Sequence, residues 1–448
     1  VPDARALRRP AGGGGGRRRH RHRHRHRRWA LGVLAVVVAA IASRPAVARV
    51  EPVPPPAERG TGRLLQSLVD DAARLLAGLP VDGVSPLRPL STTPSLRQHA
   101  RAVDAVWGRV TAPRVAAQRA FSAAELADVQ DGAVFYPFGG PDILNAVALV
   151  PDASTYTLLG LEPVGPLPSP SLVSDGPTLA AVQRALTYAL RHNIFITDAM
   201  ETQVQGKVGV AALLSFFLVR SGYTIVAARP ITLGVDGAII DDVADLGSVD
   251  GAAGVATGEG SRLARVHGIE LVVRREGGAR LQRVRYFSGN INDDFFATGR
   301  GLTAHLLSLG TLTTLIKAAS YLMYYPAFDD VRALVLARSR AIVTDTSGLP
   351  FHYLDTPGWQ LSLYGTYLAP IHAFADRCQP DLKDALQRRA RGPLPFSYGY
   401  SYPGHNHVVV ARRAAGRAVE LPAFDRSKYR GDNTLCRGDR VRVQAVTP

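Results

Sequence analysis

The chain has 448 residues, 46% of them hydrophobic and 20% charged, enough to bury one large core or two ordinary ones and too apolar for global disorder. Its formal charge of +16 would suit a nucleic-acid or membrane-surface partner if it were spread over the chain. It is not: residues 1–48 hold 12 arginines against one aspartate, the remainder is only mildly basic, and no nucleic acid is expected as a partner.

That basic leader, "RRRHRHRHRHRRWALGVLAVVVAAIASRPAVA", has the layout of a secretory signal peptide. Arginines and histidines form the charged part, and Trp29–Ala42 is an apolar run. As a helix the run would reach about 21 Å, short of the roughly 30 Å hydrocarbon core. Ala46-Val47-Ala48 supplies a small-residue cleavage site. The expectation is export, to the periplasm, the envelope or the medium, with residues 1–48 removed and no stable transmembrane span left. An uncleaved membrane anchor is the rival reading. The two cysteines, Cys378 and Cys436, suit an oxidising compartment; paired, they would close a loop whose entropy alone is worth roughly 4 kcal/mol. Two buried free thiols are the alternative.

In chain order, residues 49–94 read as a proline-rich lead-in around a short helix, "RLLQSLVDDAARLLAGL". "SLRQHARAVDAVWGRVTAPRVAAQRAF" has helical spacing, and "SAAELADV" carries the serine and glutamate of a capping box. A β-prone run then enters the corner "YPFGGPD", an apolar segment follows, and a second β-prone run ends at Glu162-Pro163. "TLAAVQRALTYALRHN" is an amphipathic helix. "KVGVAALLSFFLVRSGY" is an apolar one, too short to span a membrane, and "TIVAARPITL" is a strand. Residues 234–262 are rich in Gly and Asp and read as an exposed insertion. "GIELVVRR" and "RLQRVRYFSGNI" flank a hairpin turn. "GLTAHLLSLG" is a helix, "TTLIKAASYLM" a buried strand running into a loop, and "FDDVRALVLARSR" a helix with an acidic start and a basic end. "AIVTDTSGLPFHYL" reads as strand, turn, strand, and the tail from Gly358 as strand and loop. Strands alternating with helices predict an α/β fold: a mainly parallel Rossmann-like sheet flanked by helices, with a helical N-terminal approach and a β-rich C-terminal tail.

Chemistry concentrates in Val134–Gly165. Gly139 and Gly140 let the backbone turn tightly after a strand, and Pro141 suits the first turn of a helix. Asp142 would lie beside the exposed N–H groups there, as a cap or as a ligand acceptor. Glu162 ends the next strand, where open α/β sheets bind ligands and an acid can accept ribose hydroxyls. Gly139, Gly140, Asp142 and Glu162 are therefore the candidate ligand-binding residues. The competing reading is packing: Asp142 capping its helix and Glu162 paired with an arginine. We further expect Val134–Phe138 and Tyr156–Gly160 to be adjacent parallel strands, with both acids on one edge.

In layout this stretch resembles class I methyltransferase-like Rossmann folds: strand, glycine corner, helix, strand ending in an acid. It is more similar to a family of uncharacterised exported bacterial proteins sharing a "YPF-G-GPD … GLEPVG" signature, to which "YFS", "KAASYLM" and "D-SG-P" also belong. The resemblance covers residues 95–400 and implies no assigned activity. The methyltransferase motif carries an acid before its glycines, where this chain has Tyr136-Pro137-Phe138, and Pro141 removes a donor N–H.

Other motifs are weaker. "GRGLTA" (Gly299 to Ala304) matches a dinucleotide pattern but lacks the strand immediately before it. His405 and His407 would share a strand face and could supply two zinc ligands, yet no third ligand can be named, so no metal is expected. Lys317 is a lone cation in an apolar run, expected to snorkel or to pair with an acid. Asp345 and Asp355 flank "TSGLPFHYL" and could group with Glu162, although turn formation explains Asp345 equally well. The two RGD triplets are short enough to arise by chance. No motif fixes a cofactor or a catalytic residue. The sequence thus supports an exported protein with residues 1–48 as signal peptide, 49–94 as lead-in, 95–357 as α/β core and 358–448 as a β- and loop-rich part of the same domain. It would bind a small polar ligand at the corner, serve as a non-catalytic envelope scaffold, or act as a methyltransferase-like enzyme.

Overall fold

Short β-prone runs interleaved with apolar helices assemble into a single mixed sheet. The computed structural model describes residues 60–193, 208–241, 266–298 and 300–416, all within the compact unit Val53–Pro448. The leader with its cleavage site, residues 242–262 of the Gly/Asp-rich insertion, Gly299, Cys436 and the RGD triplets lie outside the described residues.

In chain order the principal helices and strands are α1 (Gly60–Leu76), α2 (Pro94–Val106), α3 (Ala112–Glu125), β1 (Ala133–Tyr136), α4 (Ile143–Leu149), β2 (Thr155–Gly160), α5 (Gly176–His192) and α6 (Val210–Arg220). Then come β3 (Tyr223–Leu233), β4 (Ile239–Asp241), β5 (Val266–Arg275), β6 (Leu281–Ser288), α7 (Asp293–Thr298), α8 (Arg300–Ser308) and β7 (Leu312–Ile316). The chain continues through α9 (Asp329–Arg338), β8 (Ser339–Thr344), β9 (Trp359–Thr366), α10 (Pro380–Arg389) and β10 (Asn406–Arg413).

The sheet has ten strands in the order β4-β3-β5-β6-β2-β1-β7-β8-β10-β9. The five central strands, β6, β2, β1, β7 and β8, pair in parallel. Both flanks pair antiparallel: β4, β3 and β5 on the β6 side, β10 and β9 on the β8 side. The expectation of a mainly parallel sheet is corrected accordingly, since antiparallel pairs are slightly the more numerous. The reason is local. β5 and β6 form the hairpin that their turn dictates, so β6 is parallel to β2 while its other neighbour is antiparallel. β1 and β2 are adjacent and parallel as expected, with Val134 opposite Tyr156, and α4 makes the crossover between them.

Strand alternation sorts the core into two layers. Val134, Tyr136, Tyr156, Leu158, Val343 and Val410 pack with α1 to α6 on one face. Ala133, Phe135, Ile316, Ile342 and Val409 pack with α7 to α10 on the other. α6 is the most apolar helix, every residue from Val210 to Val219 being buried, against α1, α4 and β3. Among the described residues, no helix is long and apolar enough to cross a membrane.

Two local expectations fail. α3 runs through Ser122 without a break, so Ser122 caps nothing; its hydroxyl donates instead to the Leu149 carbonyl at 2.6 Å. After β8, "FHY" is a 3-10 turn rather than a strand, because Pro350 precedes it and the Phe351 N–H is taken by the Gln379 side chain at 2.7 Å.

On the β3–β5–β6 flank a buried carboxylate sits among three guanidiniums. Glu270, 1% exposed, meets Arg229 at 2.7 Å, Arg285 at 2.8 Å and Arg283 at 3.3 Å, and these arginines are 39%, 11% and 21% exposed. Burial alone would raise the Glu270 carboxyl, but the charges and hydrogen bonds of Arg285 and Arg229 outweigh it and hold it below the ordinary value.

Candidate functional site

The parallel core has its topological break between β1 and β7, because β2 and β6 continue on one side of β1 while β7 and β8 continue on the other. In such sheets the connections leave a crevice beyond the carboxyl ends of the strands flanking the break. A cleft of about 140 Å³ lies there, walled by Phe138 after β1, Gly160 to Glu162 after β2, Gly289 to Ile291 after β6, and Ala318 to Ser320 with Leu322 after β7.

Of the four residues singled out in the sequence, Glu162 lines this cleft. Gly140 has φ +49°, which a glycine adopts without strain, and its N–H donates to the Leu159 carbonyl at 3.1 Å. A Cβ on Gly160 would stand 2.4 Å from Glu162 Oε2, and one on Gly140 would stand 3.2 Å from the same oxygen. The two glycines thus make room for the Glu162 carboxylate. The Tyr286 hydroxyl donates to the Glu162 carbonyl at 2.6 Å; burial first, and then the Glu162 charge, pushes the Tyr286 phenol up. Gly139 is buried against the Tyr136 ring, 2.8 Å from where its Cβ would be.

Asp142 has a different role. It stands at the start of α4 but makes no capping hydrogen bond. Its carboxylate meets Lys317 Nζ at 2.6 Å, with the two side chains 4% and 2% exposed. It also accepts from the Tyr136 hydroxyl at 2.9 Å and from Asn145 Nδ2 at 2.6 Å. Lys317 donates further to the Asn193 carbonyl at 2.6 Å, and Asn145 is tied to Asn193 at 3.0 Å and to Gln118 at 2.5 Å. The lone cation of the apolar run therefore has its acid. Burial lowers the Lys317 ammonium and Asp142 opposes that shift. The amine is thus held as one member of a buried ion pair.

Sequence reasoning gave no hint of the wall formed after β7. Ala318, Ser320 and Tyr321 all have left-handed φ angles of 51° to 56°, as do Phe138 after β1 (58°) and Asn193 in the Lys317 network (56°). Among the described residues these are the non-glycine residues with positive φ. Each costs energy that its surroundings must offset, and such residues cluster where backbone is shaped for a ligand. What holds them is visible. The Ala319 N–H donates to Ser347 Oγ at 2.8 Å and the Tyr321 N–H to the Ser347 carbonyl at 3.0 Å, while Ser347 Oγ donates to Asp345 at 2.7 Å. The Tyr400 hydroxyl donates to the Ala318 carbonyl at 3.2 Å. Asp345 is buried, and burial raises its carboxyl against the pull of hydrogen bonds from the Ser347 hydroxyl and from the backbone N–H groups of Tyr400, Ser347 and Ala318. So "D-SG-P" braces the cleft wall and is not a carboxylate partner for Glu162. Asp355 pairs elsewhere, with Arg389 at 3.0 Å.

The remaining candidates are accounted for by packing. Gly301, in the "GRGLTA" stretch, packs so tightly on Gly234 that a Cβ would stand 2.1 Å from its carbonyl oxygen. His405 Nδ1 accepts the Leu368 N–H at 3.2 Å, and His407 Nε2 accepts the Thr346 N–H at 3.0 Å. Burial lowers His405 to about 4 and His407 well below its ordinary value, so both are neutral imidazoles inside the core. Among the described residues no group of three or more His, Cys, Asp or Glu side chains converges as a metal site. Cys378 is disulfide-bonded.

The cleft combines one carboxylate, the Asn290 amide, a left-handed backbone segment and the apolar sides of Phe138, Ile291 and Leu322. That set can accept hydroxyl hydrogen bonds and cover the flat or apolar face of a small ring. Its volume, below the roughly 300 Å³ of ordinary drug-sized sites, admits a sugar-sized group. No family model, curated protein or solved structure matches the chain.

Proposed function

We propose that this chain is an exported protein that binds a small polyhydroxylated ligand, of the ribose or nucleoside class, in the cleft beside Glu162. The observation that carries this reading is the convergence of three left-handed non-glycine residues, Phe138, Ala318 and Ser320, on the crevice that also holds the strand-end acid. The parallel strands support it, because numbered by their order of appearance they read 3-2-1-4-5 across the sheet, the doubly wound order of Rossmann-like domains. So does the position of five segments, "YPF-G-GPD", "GLEPVG", "YFS", "KAASYLM" and "D-SG-P", at the carboxyl ends of β1, β2, β6, β7 and β8. Glu162 would accept the vicinal hydroxyls, while Gly140 and Gly160 keep its carboxylate free of backbone clash.

Binding is put first because the strand-end acid and the shaped backbone around it are what the cleft presents. A methyltransferase-like enzyme is the second reading, favoured by the strand, glycine corner, helix and strand-end acid standing in that order at the break. A thermal-shift panel of ribose, adenosine and S-adenosylmethionine tests both. The ligand reading expects a rise in melting temperature that Glu162→Gln removes while the variant still unfolds cooperatively. No shift with any of these compounds, or an equal shift in the variant, sinks it. Methyl transfer requires S-adenosylmethionine to stand out among the three.

A further inference from the structure

A second cavity lies at the opposite edge of the sheet. It has a volume of about 630 Å³ and is bounded by residues before β2, at the start of β3 and at the end of β5. We infer that it binds a monocarboxylate with an apolar body, such as a medium-chain fatty acid, its head held at Arg119 and Ser221. This site is separate from the Glu162 cleft and does not depend on its ligand.

The cavity is two-natured. Val115, Val147 and Pro151 give it an apolar wall, and Trp107 closes one side with the Arg220 guanidinium 5.6 Å from its ring centroid. Arg220 is already committed to Asp104 at 2.6 Å, and Arg275 to Asp152 at 3.1 Å. Among the described residues Arg119 meets no carboxylate within ion-pair distance, and its guanidinium donates to the Ser221 carbonyl at 3.0 Å. On that same residue the hydroxyl is buried without a hydrogen-bond partner, Ser221 being 7% exposed. A buried hydroxyl left unsatisfied costs about 1–3 kcal/mol unless something else bonds to it. An exposed, uncommitted guanidinium beside an unsatisfied hydroxyl, on a cavity with apolar walls, is a seat for an oxyanion carrying a hydrocarbon tail.

Two further features sharpen this. Trp107 begins a π-helical turn, Trp107–Thr111, between α2 and α3. Such turns are rare and concentrate at functional sites, and this one sets Trp107 in the cavity wall. Glu276 lines the same cavity. One guanidinium fork and one hydroxyl match the two oxygens of a carboxylate, whereas a phosphate would bring a third oxygen and a second charge with no donor of their own beside that acid.

The test uses the full chain and four probes below their micelle concentrations: decanoate, decyl phosphate, decanol and inorganic phosphate. Decanoate should bind, read by calorimetry and by a change in tryptophan fluorescence that Trp107→Phe removes. Arg119→Ala should weaken it about tenfold or more, Ser221→Ala by a smaller factor, and decyl phosphate should bind more weakly than decanoate. Arg119 is exposed, so its variant is expected to melt with the parent protein. Equal binding of decanol would reduce the cavity to an apolar groove, and binding of inorganic phosphate alone would make it a plain anion site; either overturns the inference. So would decyl phosphate binding more tightly than decanoate, undiminished decanoate binding by Arg119→Ala, or no binding at all.

Discussion

Two buried charge clusters solve the same problem in opposite ways. At the carboxyl edge, Asp142 and Lys317 are both almost inaccessible and meet one to one, with neutral amides and a phenol as the remaining partners. On the antiparallel flank, Glu270 is equally buried but is shared by three arginines whose far ends reach water. A one-to-one pair has no reserve: loss of either member strands a charge in low dielectric. A shared carboxylate tolerates the loss of a donor, since the others remain and the arginines keep part of their hydration. The contrast follows position. Asp142 and Lys317 are enclosed at the carboxyl edge of the parallel core, whereas Glu270 sits on a sheet flank where long side chains can snorkel.

The largest break in this contrast is Lys317→Met. Stranding Asp142 should cost about 3–5 kcal/mol, measured as a fall in the urea midpoint, and Lys317→Met combined with Asp142→Leu should recover part of it. If the single and double variants lose equal stability, the pair is not coupled and the contrast fails. Next comes Glu270→Gln, which leaves the arginines around a neutral amide and should cost about 1–3 kcal/mol by the same measurement. Arg283→Ala should cost less, about 1 kcal/mol or below, because Arg229 and Arg285 still hold the carboxylate. A loss as large as that of Lys317→Met would mean the cluster is not shared at all.

Acid supplies the shallowest probe. His405 and His305 have folded pKa values lowered by burial to about 4, from 6.5. The unfolded chain therefore binds more protons between those values, and the stability these neutral rings carry is full above pH 6.5 and lost as pH falls towards 4. Glu270 adds a later loss: its folded value is depressed, so its contribution is present above about 4.5 and disappears as pH falls through the folded value. Asp345, raised by burial, works in the other direction from 3.8 upward and flattens the curve. Chemical denaturation at steps from pH 7 to 4 should show stability falling monotonically; a rise over that interval would contradict the burial of the two histidines.

The parallel pairing of β1 and β2 was legible because everything that sets it lies within about thirty residues: two apolar runs, a glycine corner and a short helix between them. The hairpin of β5 and β6 was legible for the same reason, but its second pairing with β2 was not, since nothing in a strand's own sequence names its far neighbour. Lys317 was conspicuous in the sequence, whereas its partner Asp142 was conspicuous as a cap or a ligand acceptor, and their contact joins the ends of neighbouring strands, β1 and β7, that lie far apart in the chain. The left-handed wall at Ala318, Ser320 and Tyr321 left no trace, because those residue types do not announce positive φ; Ser347 and Tyr400, from distant segments, impose it. That Glu162 stands just past the end of β2 was legible because a strand end is a local fact.

α6 has a consequence for synthesis. Its ten residues from Val210 to Val219 have no polar face, so it is adhesive whenever it is bare. The elements that cover it, α1 and α4, precede it in the chain, and β3 follows within a few residues. A ribosome making this protein from its N-terminus thus delivers the sheath before the blade, and the interval in which a chaperone would have to intervene is short. A circular permutant that places α6 ahead of α1 would have the same contacts when folded, yet should be far more prone to aggregate on the way there.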